Sequence, residues 1–224
     1  MKLRVLGASG GVGPGLRTTS LLIDQDILID VGSGVGDLTL DEMAALRHVF
    51  ITHSHLDHIA FLPLLLDSIF ERLDAPLQVH AQPATLQALR EHIFNWKIWP
   101  DFSVLPHPQS PVVTLVEMTP ERVVTVEERT LEMIPVNHTV PGVGFRIACP
   151  SGALAFSGDT TTNDSLWDAL NAHDRLDILI VEAAFGDHNR ALSQLARHYC
   201  PSLLAQDLVK LKHDPLICIT HNKP

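Results

Sequence analysis

The sequence has no apolar run long enough to cross a bilayer. Its densest, Ile59 to Leu66, contains Pro63 and falls far short of the roughly 20 residues a membrane helix needs. The opening segment, Met1 to Gly11, lacks the apolar stretch of a secretory signal. A soluble, cytoplasmic protein with no membrane partner is therefore expected. Cysteine is scarce: Cys149, Cys200 and Cys218 form no close pair, which argues against a disulfide framework and against a structural zinc knot. Basic charge is scarce as well. Lys and Arg number 16 against 26 Asp and Glu, for a net charge of −10. The basic footprint of a nucleic-acid binder is missing, so nucleic acid is not an expected partner.

Low-complexity segments, charge blocks and short repeats are also absent from the sequence. What remains is 224 residues, 46% of them hydrophobic, enough for a single globular domain spanning 1–224 with a substantial core. Patterning predicts strands over 2–6, 20–24, 26–30, 48–52, 77–80, 112–117, 130–135, 143–148, 153–157, 178–182 and 216–220. It predicts helices through 43–46 and over 59–73, 84–93, 165–172, 191–198 and 202–211. Thr39 and Glu42 have the spacing of a capping box. Strands in both halves, each half with helices, suggest an α/β (α+β) fold of two facing sheets with helices outside.

Histidine is plentiful, at 13 residues, and the densest group is Thr52-His53-Ser54-His55-Leu56-Asp57-His58. In an extended segment His53, His55 and Asp57 would face one side, and a helix starting at His58 can bring that ring back towards them. Imidazoles and carboxylates together suit zinc, manganese or iron. A surface loop with incidental histidines is the bland alternative. It fits poorly between an apolar strand and an apolar helix.

A short motif cannot complete two metal sites. Three further ligand-type residues follow apolar strands: His138 in Asn137-His138-Thr139, Asp159 in Ser157-Gly158-Asp159-Thr160, and His221 in Thr220-His221. Taken singly, each has an ordinary reading, the histidines as satisfied surface residues and Asp159 as a turn cap. Taken together they stand at strand ends, where site residues gather.

The order His53-x-His55-x-Asp57-His58, His138, Asp159, His221 resembles the metallo-β-lactamase superfamily. More narrowly it resembles its phosphodiesterase branch, which includes ribonuclease Z and the class II cyclic-nucleotide phosphodiesterases. Leu6-Gly7-x-Ser9-Gly10-Gly11, Ile29-Asp30-x-Gly32 and Ser157-Gly158-Asp159-Thr160 fit the same pattern. The resemblance implies a four-layer αββα sandwich, the metallo-β-lactamase fold. It implies two divalent ions, zinc first, with manganese or iron(II) also suited. His53, His55 and His138 would hold one ion and Asp57, His58 and His221 the other, with Asp159 bridging. The expected activity is hydrolysis of a small or cyclic-nucleotide-like phosphodiester by a metal-bridging hydroxide.

Asp57 is then expected to ligate and to handle a proton, and Glu182 to orient a site histidine. Asp30 is expected to support the motif loop. Ribonuclease Z carries a histidine just before the residue matching Glu182. This chain has Val181 there, which predicts that a relay through that histidine is absent and weighs against tRNA 3′-end cleavage. Hydrolysis of a thioester, lactone or lactam is a further reading, and a non-catalytic metal-binding module another. His198 is assigned no role. Trp96 and Trp99 have base stacking, core packing or a partner interface as readings, and an apolar patch from Ile93 to Trp99 would suit a homodimer.

Overall fold

The computed structural model describes residues 1–120 and 122–224. Contacts within the chain gather into two units, Lys2–Met118 and Thr119–Pro224 with Met1, where the sequence suggested one domain over 1–224.

The first unit contains β1 (Leu3–Gly7), β2 (Ser20–Ile23), β3 (Ile27–Ile29), β4 (His48–Phe50) and β5 (Leu77–Ala81). A small hairpin follows, β6 (Pro106–His107) with β7 (Ser110–Pro111), and then β8 (Val113–Glu117). The sheet runs β1-β2-β3-β4-β5-β8. Its first three strands are antiparallel and the remaining pairings parallel. Helices α1 (Leu40–Ala45), α2 (Leu56–Ile59), α3 (Leu62–Ser68) and α4 (Pro83–Ala88) complete it. Alternation along the strands sends Val49, Ile51, Leu77, Val79 and Val113 to one face, where they pack on Ile59, Leu62, Leu65 and Leu66.

Thr39 caps α1 as its spacing predicts. The Thr39 hydroxyl accepts from the Glu42 N–H at 3.2 Å, and the Glu42 carboxylate accepts from the Thr39 N–H at 2.8 Å. Of the helix expected over 59–73 only 62–68 forms, as α3; Ile59 instead ends α2, and Pro63 lies in the first turn of α3. Proline has no N–H to give and its ring clashes with the carbonyl four residues back. The Phe61 N–H at the break bonds to the Val31 carbonyl at 3.0 Å, which ties the helix junction to the loop after β3. The helix expected over 84–93 also divides, into α4 and a π-helical turn, Leu89–Ile93. Beyond it, Phe94 is buried and Trp99 packs on the same core, while Trp96 and Ile98 stay exposed.

The second unit contains β9 (Val124–Val126), β10 (Arg129–Val136), β11 (Gly142–Cys149), β12 (Gly152–Phe156), β13 (Ile178–Glu182) and β14 (Leu216–Thr220). They lie in the order β14-β13-β12-β11-β10-β9. The last two parallel pairings are β12 with β13 and β13 with β14. Helices α5 (Ser165–Asn171), α6 (Arg190–Leu195) and α7 (Pro201–Leu208) accompany this sheet. Ala155, Leu179 and Val181 meet Leu166, Trp167 and Leu170 of α5 and Leu203 and Leu204 of α7 in one core. Among the described residues no helix is long and apolar enough to cross a membrane.

Leu66 is fully buried on α3, whereas Leu64 on the same helix is 44% exposed. Leu66→Ala is expected to cost about 2–5 kcal/mol, the range for a large-to-small core change, and Leu64→Ala at most about 0.5 kcal/mol. Chemical denaturation midpoints of the two variants measure the difference.

Candidate functional site

In the first unit the site residues sit between β4 and α3. His53 is buried just after β4, His55 is the N-cap residue of α2, and Asp57 and His58 lie within that helix. The extended run expected through Asp57 thus ends two residues early. The helical turn gathers the rings instead, with His53 and His55 centroids 4.7 Å apart and His53 and His58 centroids 4.2 Å apart. Asp57 Oδ2 lies 3.8 Å from His58 Nε2.

Asp30, fully buried after β3, holds this turn. Its Oδ1 accepts from the Thr52 N–H at 2.8 Å, and its Oδ2 lies 2.7 Å from His58 Nδ1. With the carboxylate accepting, the proton sits on Nδ1 and the lone pair on Nε2, the tautomer a metal ligand needs. Burial pushes the Asp30 carboxyl above the usual aspartate range, although the charge and hydrogen bond of His58 oppose that shift. The support role expected of Asp30 is what these bonds describe. Gly32 passes so near that a Cβ there would stand 2.5 Å from the Asp57 carbonyl, so only glycine lets the loop close on the helix.

In the second unit the residues follow strand ends. Asp159 comes after β12, Glu182 ends β13 and His221 follows β14. All are buried, as is His138. His221 Nε2 lies 3.2 Å from Asp159 Oδ2. His138 Nδ1 donates to the Arg197 carbonyl at 3.0 Å, and Arg197 Nη1 returns a bond to the His138 carbonyl at 2.7 Å. A carbonyl only accepts, so this ring too carries its lone pair on Nε2.

Glu182 is the centre of this half. It accepts from the N–H groups of Thr160 and Ala184, each at 2.9 Å, and of Tyr199 at 3.3 Å. His198 Nδ1 stands 2.7 Å from its Oε1. Asp159, Glu182 and His198 bring ligand-type atoms within 4.8 Å of one another. The His198 ring stacks on His221 with centroids 5.5 Å apart and meets His138 edge-on at 4.9 Å. Burial pushes Glu182 up to about 7, with Asp159 adding to the shift and the His198 bond opposing it. Burial alone would lower His198, but the bond and charge of Glu182 outweigh it and raise the imidazole. The 2.7 Å contact between Nδ1 and Oε1 is spanned by one proton.

His198 is the site residue that sequence reasoning passed over. It follows α6, sixteen positions from Glu182, and no short-range spacing links the two. It supplies an imidazole that the residue before Glu182 does not. Val181 is packed in the helix-side core, and neighbouring strand residues point to opposite faces. A histidine at 181 would not point where Glu182 points, and Glu182 receives its imidazole from the α6–α7 connection instead.

The donor set fits divalent metals of the zinc, manganese and iron type: imidazoles with their tautomers fixed by acceptors at Nδ1, and carboxylates beside them. The model of the β-lactamase superfamily domain family matches residues 26–210. The chain belongs to the β-lactamase superfamily. The metallo-β-lactamase fold and the hydrolase superfamily expected from the motif order are therefore met.

Within this superfamily the chain is 26% identical to a probable 3′,5′-cyclic-nucleotide phosphodiesterase of Yersinia pestis, over 98% of the chain and 77% of that protein. It is 28% identical to a ribonuclease Z of Methanococcus maripaludis over 65% of the chain, spanning about half (48%) of that relative. The crystal structure of unliganded yeast PDE1 has the same fold, with a TM-score of 0.82 at 20% identity over 99% of this chain and 88% of that one.

Asp207 on α7 fixes the segment carrying His198. Its Oδ2 accepts from the Tyr199 hydroxyl at 2.7 Å, the Asn163 N–H at 3.1 Å and the Trp167 indole at 3.3 Å. Burial raises its carboxyl, but Lys210 and these donors outweigh burial and hold it below the usual aspartate range. Asp207→Ala is expected to cost about 2–4 kcal/mol, because buried donors lose their acceptor. A depressed carboxylate stabilises the fold above the unfolded aspartate pKa and loses that contribution as pH falls through the folded value. The gap between wild type and variant in denaturation should therefore be full at neutral pH and narrow below about pH 4.

Proposed function

We propose that this chain is a metal-dependent phosphodiesterase acting on a small or cyclic-nucleotide-like phosphodiester. The observation that carries the reading is the Glu182–His198 pair held against Asp159 and His221, a proton-handling couple next to carboxylate and imidazole donors. The similarity to the Yersinia protein over nearly the whole chain supports the substrate class.

In this reading His53, His55 and His138 would hold one divalent ion and Asp57, His58 and His221 the second, with Asp159 available to both and zinc the first candidate. Bound there, the ions would supply a water nucleophile activated at neutral pH and neutralise charge on the attacked phosphate. The remaining work belongs to the chain. Asp30 and the Arg197 carbonyl keep His58 and His138 in their ligating tautomers. His198, its Nδ1 on Glu182, gives a proton to the departing alkoxide, and Glu182 stabilises the charged ring before transfer. Asp57, partly exposed, combines ligation with a proton contact to the nucleophile.

The similarity to ribonuclease Z gives tRNA 3′-end cleavage as a second reading. A net charge of −10 weighs against it, because repulsion from a polyanion must be overcome at every encounter.

The deciding experiment is metal analysis of chelator-free protein together with hydrolysis of bis-p-nitrophenyl phosphate, a 3′,5′-cyclic nucleotide and a precursor tRNA. Near two metals per chain with turnover of the first two substrates is expected. Two metals without phosphodiester cleavage would redirect the search to thioesters, lactones and lactams, and metal-free protein would remove the proposal. Asp159→Ala should lose both metal and turnover. His198→Ala should keep its metal content while kcat falls about 10²–10⁴-fold, the usual contribution of a positioned acid or base.

A further inference from the structure

Strand β14 ends its sheet and is exposed along most of its length. Leu216 is 65% exposed, Ile217 40% and Ile219 50%, and Cys218 is exposed between them. Edge strands in soluble proteins usually carry a lysine, a bulge or an inward charge that blocks pairing with another chain. Leu216-Ile217-Cys218-Ile219-Thr220 has none of these, in a chain of net charge −10.

The hydrogen bonds to β13 show which main-chain groups face outward. The Leu216 N–H donates to the Asp177 carbonyl at 2.9 Å, and the Thr220 carbonyl accepts from the Ala183 N–H at 3.1 Å. In a parallel pair the bonding residues alternate, so Leu216, Cys218 and Thr220 turn their N–H and C=O groups to β13. Ile217 and Ile219 turn theirs away from the sheet.

We infer that β14 pairs with β14 of a second copy of this chain, antiparallel, about a two-fold axis at Cys218. That axis sets Ile217 opposite Ile219 of the other copy on both sides, and each pair exchanges both of its outward main-chain bonds. The β-branched side chains so opposed are favourable cross-strand partners. Leu216 falls opposite Thr220, and Asp214 opposite Asn222, so no like charges are brought face to face. Cys218 is the middle of the five-residue strand, so an axis at Ile217 or Ile219 would leave part of it unpaired, and sliding one strand by a single residue would oppose groups that are already bonded to β13. The two Cys218 residues meet as a pair without mutual main-chain bonds, their Cα atoms about 4.5 Å apart. A disulfide spans roughly 4.4–6.8 Å between Cα atoms.

A strand of five residues covers only part of the ~800 Å² per partner of a standard interface. The dimer is therefore a weak, concentration-dependent one. Because each copy carries a large negative charge, screening it with salt strengthens association.

Sedimentation velocity of the full chain from micromolar to submillimolar concentration tests the assembly. Diamide oxidation with peptide mapping tests the register. The expected result is a monomer–dimer equilibrium shifted towards dimer by salt, with a disulfide joining Cys218 to Cys218. Cys218→Ser should abolish the cross-link, and Ile217→Lys should weaken the dimer at least about tenfold while leaving the circular dichroism unchanged. The cross-link on wild-type protein decides the matter should the lysine variant fail to fold. A chain that stays monomeric throughout, or a dimer linked through Cys149, overturns the proposal. A monomer whose Ile217 and Ile219 amides resist hydrogen exchange would show that some other polypeptide segment covers the strand, and overturns it as well. None of these readouts depends on the proposed activity.

Discussion

A carboxylate can be buried in a protein only when hydrogen bonds replace the water it loses, because the uncompensated cost runs to several kcal/mol. Both units meet that constraint at a strand end, and both use it to orient an imidazole. In the first, Asp30 takes the Thr52 N–H and His58. In the second, Glu182 takes the N–H groups of Thr160, Ala184 and Tyr199, and then His198. The acid fixes its local backbone and its histidine together. Removing either acid would leave buried donors unsatisfied as well as a ring without a defined tautomer.

The surrounding fold follows from that arrangement. β3 and β4 are parallel neighbours, so Asp30 and Thr52 emerge from the same edge of their sheet. β12, β13 and β14 are parallel as well, so Asp159, Glu182 and His221 also emerge together. Parallel pairing is what lets residues far apart in sequence reach one sheet edge. The helices on the opposite face of each strand bury Val49 and Val79 in one unit and Leu179 and Val181 in the other, and so hold the strands that present the acids.

Much of this was legible in the sequence because it is local. The histidine motif is compact, the Thr39–Glu42 cap has a fixed spacing, and β13 and β14 have the bounds their apolar runs predict. What stayed hidden depends on distance or on direction. His198 reaches Glu182 through the α6–α7 connection, a relation that no periodicity encodes. The break between α2 and α3 was marked by Pro63, but apolar residues run through it at a helical spacing and mask the interruption. Val181 was weighed as the neighbour of Glu182 along the chain, although strand alternation places it on the opposite face.

Backbone conformation adds a last constraint. Asp30, Arg197 and His221 all have φ between 52° and 63°, a region where a side chain costs roughly 1–2 kcal/mol and glycine is the cheaper residue. Gly158, in the turn before Asp159, occupies the same region at φ 60°. Where the turn needs only its shape, glycine stands. Where Asp30 must accept from His58 and His221 must approach Asp159, the side chain is kept in spite of the strain. Arg197 is the third case: its left-handed turn accompanies a carbonyl bonded to His138 Nδ1, and its guanidinium binds the His138 carbonyl in return. Asp24, Trp96 and Glu127 occupy the same region, so a left-handed backbone alone marks nothing; at Asp30, Arg197 and His221 it accompanies buried contacts that depend on the residue's own carboxylate, guanidinium or imidazole.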